Sequence, residues 1–197
     1  MDRLLAATHR LTRWSLWFGG ALILLAAVLI GIDVTLRKLF SASIGGADEL
    51  AGYALAIGTA WGLGAALVDR AHIRIDSLYV FFPKWIRVAL DLAGLVLFVG
   101  FFGLIGWHGL GVVAQSWNSG SRSQSALETP TVIPQAIWLV GLAFFVAVGA
   151  VLFAAAMRDV RRGDLEAVVR ALGTRSAAEE VEDEIRDLKA RADEGTR

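Results

Sequence analysis

The sequence predicts an all-α integral membrane protein: four transmembrane helices, a short interfacial amphipathic helix, and both termini in the cytoplasm. Three observations lead there. The first is a set of uncharged runs, 14–32, 50–68, 92–121 and 129–157, rich in Leu, Val, Ala, Phe and Gly. A hydrocarbon core about 30 Å thick takes roughly 20 helical residues at about 1.5 Å each, and buried helices of soluble proteins are seldom charge-free for so long. The second is how charge is distributed. The 197 residues are 56% hydrophobic and carry 19 Lys+Arg against 19 Asp+Glu, so net charge points to no polyanionic partner such as nucleic acid. Of these charged residues, 20 lie from Arg158 onward and the rest cluster between the uncharged runs. The third is sidedness. Ten cations (Arg3, Arg10, Arg13, Arg70, Arg74, Lys84, Arg87, Arg158, Arg161 and Arg162) fall at one set of span ends, against Arg37, Lys38 and Arg122 at the other. The positive-inside rule then puts the richer side in the cytoplasm.

Span one is expected over about 14–36. Basic residues before an apolar run resemble a signal peptide, but the run is long and no small-x-small cleavage site follows it, so it reads as a retained helix. Trp14 and Trp17 suit the inner interface. Asp33 precedes Arg37 by one turn, the favourable order for a helical ion pair. Span two, 50–68, carries the small-xxx-small pair Gly58 and Gly62, with Gly64 nearby and Trp61 at mid-span, where packing on a neighbouring helix is expected.

The segment "DRAHIRID", 69–76, follows immediately and sets four formal charges and a histidine against that apolar run. Ile75, Leu78, Tyr79 and Phe82 fall at i, i+3, i+4 and i+7, which predicts a helix over about 73–82 lying flat at the inner interface. His72 and Asp76 are then an i, i+4 pair, and the segment reads as a hinge fixing the angle between span two and the interfacial helix. Pro83 ends that helix and opens span three, 88–117, with Arg87 and Asp91 as a boundary pair and Trp85 and Trp117 near its two ends. Gly100, Gly103, Gly106 and Gly109 give it small residues, while Trp107 and His108 are expected to pack against neighbours. Pro130 and Pro134 introduce span four, 134–157, with Trp138 near the outer boundary. Residues 1–162 thus form the transmembrane domain, and 163–197 a charged cytoplasmic tail whose one short apolar stripe is Val181, Ile185 and Leu188.

Chemistry is sparse along this chain. There is no cysteine, hence no disulfide or thiolate site. Two axial haem ligands must share a depth. His72 sits at the inner boundary, His108 lies about 25 Å further along span three, and His9 precedes span one. No serine or threonine has a histidine base and a carboxylate at matching depth, so neither a catalytic nor a metal or cofactor site is expected and an enzyme is not. The small residues equip the chain to pack against other helices. Gly58, Gly62, Gly100, Gly103 and Gly106, with Arg37 at the outer end of span one, are the candidates for packing against a partner. The competing class is a haem- or quinone-binding membrane anchor of a respiratory enzyme, which a Soret band or bound quinone would reveal.

The run "DELAGYALAIGTAWGLGAALVDRAHIRID" resembles the small membrane subunit, the Q-type protein, of tripartite ATP-independent periplasmic (TRAP) transporters. The matching residues are Asp48, Glu49 and Leu50, then Tyr53, Trp61 and Gly64, then His72, Arg74 and Asp76 within His-hydrophobic-Arg-hydrophobic-Asp. "RKLF" at 37–40 and "TPTVIPQAIW" at 129–138 extend the resemblance over roughly 10–158, although "IWLVGLAFF" lacks a proline that many members carry. The resemblance implies a scaffold subunit of the bacterial inner membrane. Its partners would be a large permease subunit, which holds the ion and substrate sites, and a periplasmic binding protein. Together they would take up a small organic acid with sodium.

Overall fold

Charge-free stretches of good helix formers have one way to satisfy their backbone in lipid, which is to bond it internally as helix. The computed structural model describes residues 2–70, 81–173 and 185, and it follows that rule. The elements are α1 (Asp2–Phe40), α2 (Ala47–Val68), α3 (Lys84–Ser119), α4 (Val132–Arg161) and α5 (Leu165–Leu172). The first four are long and apolar enough to cross a membrane. No strand occurs among the described residues, only an isolated bridge between Arg122 and Pro130.

Each predicted span lies inside a longer helix. The 39 residues of α1 and 36 of α3 measure about 58 and 54 Å, so both outrun a core of about 30 Å. Helix before residue 14 persists because its small polar residues are satisfied locally. Thr8, Thr12 and Ser15 are buried, and their hydroxyls donate to the carbonyls of Leu4, His9 and Thr12 at 2.9, 3.1 and 2.8 Å. At the other end of the chain, α4 begins two residues before Pro134, a proline that the first turn accommodates because no intrahelical N–H is needed there.

The helices stand in the order α1, α2, α4, α3, with α2 and α4 in the middle. Backbones close where glycine allows. A Cβ on Gly19 would stand 2.5 Å from the Gly58 carbonyl oxygen, and one on Gly58 2.8 Å from that of Gly19, so α1 and α2 meet there with no side chain between them. Between α3 and α4 the seal is aromatic. Fully buried Phe145 meets Phe98 and Phe102 edge-on at 5.6 and 5.3 Å.

Several expectations change in the fold. The tail from 163 onward begins with a folded element. The Asp164 carboxylate accepts the Ala167 N–H at 2.9 Å and caps α5, whose residues Val168 and Leu172 join the core beside Leu67, Val88 and Ala156. Lys84 pairs with Glu166 to tie α5 to the start of α3. His108 and Trp107, expected to be packed, are exposed, Trp107 at 71%. Trp138, expected as a boundary anchor, is half-buried against Gly109 of α3. The interfacial helix expected at about 73–82 lies outside the described residues except for 81 and 82, as do Val181 and Leu188, while Pro83 stands as the extended N-cap of α3.

Candidate functional site

The described signature residues fall at two levels of the bundle. At the end where the α1–α2 and α3–α4 connections meet, Asp48 and Glu49 occupy the first turn of α2, where carboxylates complement the helix dipole. Glu49 accepts the Ser125 hydroxyl, and the hydroxyls of Tyr53, Ser123 and Thr129 lie around the same carboxylate. The loop that brings them is tied to itself. Ser123 N–H donates to the Thr129 carbonyl at 2.9 Å, and Arg122 Nη1 to that of Glu128 at 3.0 Å.

Beside this knot, Arg37 bridges Asp33 and Asp48, the latter at 3.4 Å, so the expected Asp33–Arg37 pair exists within a larger network. Asp33 is 1% exposed and takes the Ile44 N–H at 2.7 Å and the Ser43 hydroxyl at 3.0 Å, anchoring the α1–α2 connection. That connection ends on Gly46 at φ 94°, a conformation L side chains resist, and a Cβ there would strike Leu127 at 2.6 Å. The α1–α2 and α3–α4 connections are therefore one ordered surface. Sequence reasoning missed Ser123, Ser125 and Thr129; the density of hydroxyls in "SRSQSALETP" was the available signal.

Mid-bundle, Trp61 joins three helices. Its Nε1–H donates to the Ile137 carbonyl of α4 at 3.0 Å, and its ring stacks on Phe144 at 6.2 Å and meets Phe18 of α1 edge-on at 5.2 Å. Gly141 makes room, since a Cβ there would lie 2.6 Å from Trp61 Cδ1. Gly64 faces the same cluster, its would-be Cβ 3.2 Å from Phe144 Cε1.

The structure divides the glycines named as packing candidates. Gly58 meets Gly19, Gly103 meets Val146 and Gly106 meets Leu142, all inside the bundle, whereas Gly62 and Gly100 open on nothing within 4 Å. The remaining signature residues, His72, Arg74 and Asp76, lie outside the described residues. Arg70 Nη1 donates to the Gly173 carbonyl at 3.3 Å, and Asp91, 1% exposed, lines a cavity of about 140 Å³ with Arg70, Phe98 and Leu172. Among the described residues no three His, Asp or Glu side chains are grouped to hold a metal.

What this arrangement does is connect helices: carboxylates tie loops, and an indole and glycines join α1, α2 and α4. Comparison with known proteins agrees with a transporter part. The chain matches no curated protein and no solved structure. A family model described as "Tripartite ATP-independent periplasmic transporters, DctQ component" matches residues 26–161, a stretch that takes in all the signature residues and most of the membrane bundle. That is a family of transporter components, not of enzymes, and this multi-pass chain, with four candidate membrane spans among its described residues, belongs to the DctQ component family of TRAP transporters.

Proposed function

We propose that the chain is the scaffold subunit of a sodium-coupled uptake system for a small organic acid in the bacterial inner membrane. It pairs with a large permease subunit, and the connections around Glu49 and Ser125 form part of the surface on which a periplasmic binding protein docks. Both termini and the 69–83 connection are cytoplasmic in this reading, following the lysine and arginine asymmetry.

One observation supports the pairing above others. His108 is exposed about 8 Å from the middle of the span 88–117, with no hydrogen bond or ion pair among the described residues. An unpartnered imidazole facing lipid at that depth is unfavourable, and polar groups in spans usually face protein. Gly100, Leu104 and Trp107 lie on the same exposed side of α3, which supports this as the face that meets the large subunit. Gly62 gives α2 a second open position.

The test is co-purification. Tagged full-length chain, produced in its native host and extracted in mild detergent, retains a large multi-span membrane protein; recovery of the chain alone, or transport by the chain alone in vesicles, refutes the reading. In the reconstituted complex, His72→Ala and Asp76→Ala lower uptake of two different substrates in equal proportion. A change in their ratio would mean that the "HIRID" segment touches substrate.

A further inference from the structure

The inner ends of α1 and α2 enclose a groove of about 620 Å³, within the size of small-ligand pockets, about 300–1,000 Å³. Arg10 and Arg13 line one wall, Leu16 the membrane-ward side, and Asp69 at the end of α2 the other. The Thr12 hydroxyl is spent on the His9 carbonyl, so the two guanidinium groups and the His9 imidazole are the side-chain donors the groove offers.

Four other cations at this end are spent on protein partners. Lys84 pairs with Glu166, Arg158 with Asp159, and Arg70 and Arg87 donate to the carbonyls of Gly173 and Phe82. Arg10 and Arg13 have no hydrogen-bond or ion-pair partner among the described residues. They directly precede Trp14 and Trp17, 71 and 73% exposed, whose amphipathic rings mark the headgroup level. Leu16, 47% exposed, faces the apolar side one turn further on.

A ligand matching this order of groups carries an anion at headgroup depth and a hydrocarbon chain below it. Guanidinium groups bind phosphate oxygens well, and basic pockets between helices on the cytoplasmic side suit lipid headgroups. We propose that the α1–α2 groove binds one anionic phospholipid of the inner leaflet. Arg10 and Arg13 hold its phosphodiester, and an acyl chain runs down past Leu16. Asp69 opposes the anion and limits the affinity.

The full-length chain in detergent, titrated with phosphatidylglycerol or phosphatidylcholine and read by native mass spectrometry, tests this. Phosphatidylglycerol binds at one saturable site in preference to phosphatidylcholine. Arg10→Gln with Arg13→Gln weakens it about 30-fold, and each single variant about 5-fold, at roughly one surface cation's attraction apiece. Asp69→Asn tightens it, a gain that damage to the fold would not produce. Arg161→Gln with Arg162→Gln removes the same charge elsewhere on the inner side and leaves binding unchanged. Equal binding of the two lipids, wild-type binding by the Arg10/Arg13 variant, or an equal loss in the Arg161/Arg162 variant overturns the proposal.

Discussion

Trp61 shows how much one residue in this bundle is asked to do. It fills the contact of α1, α2 and α4 with its ring and ties α2 to α4 through its N–H. The two roles separate by substitution. Trp61→Phe keeps a ring and loses one interhelical hydrogen bond, a contribution of about 0.6 and at most about 1.7 kcal/mol in membrane proteins. Trp61→Ala also leaves a cavity, at about 3–5 kcal/mol. Thermal unfolding in detergent should therefore rank wild type above Phe and Phe well above Ala. Equal midpoints for the two variants would show that the ring contributes nothing beyond its N–H. A mid-span tryptophan packing on a neighbour was legible from its place in an uncharged run. Its acceptor, Ile137, lies 76 residues away, and nothing local encodes that distance. The same holds for Glu49, whose first-turn position is readable in the sequence while its partner Ser125 is not.

At the scale of elements, hydropathy located all four spans but not their ends. Charged residues stop a helix from entering lipid without stopping it from being a helix, so α1 and α3 continue into the aqueous zones. The fifth helix was overlooked for a related reason. Leu165, Val168, Val169 and Leu172 fall at i, i+3, i+4 and i+7 between Asp164 and Gly173, a complete amphipathic pattern set in a region whose overall charge reads as solvated tail. Its burial is testable. Val168 is fully buried, and Val168→Asp sets a carboxylate among Leu67, Val88 and Leu172. Hydrogen exchange should then show amides 165–172 losing protection toward the near-zero level of a frayed segment, with α2 and α4 protected as before. Unchanged protection of α5 would mean that its docking does not depend on this face.

For the whole molecule, α2 and α4 are covered by neighbours while α1 and α3 keep long faces bare. Apolar residues on those faces are at ease in lipid; His108 is not. His108→Leu should therefore leave the unfolding midpoint of the isolated chain unchanged or higher, and lower the yield of large subunit recovered with it. Full recovery would remove α3 as the meeting face. The sequence by itself determined the class of the protein, the number of its spans and the motif that marks its family. Each of these rests on composition or local spacing, which a helix in lipid converts directly into structure. Tertiary structure alone decided that α4 stands between α2 and α3, that Gly19 meets Gly58, and that the α3–α4 and α1–α2 connections close on Glu49 and Asp33. Between helices in lipid there is little hydrophobic drive to sort partners, so the arrangement follows from how surfaces of small and aromatic residues fit, and that fit depends on residues far apart in the chain.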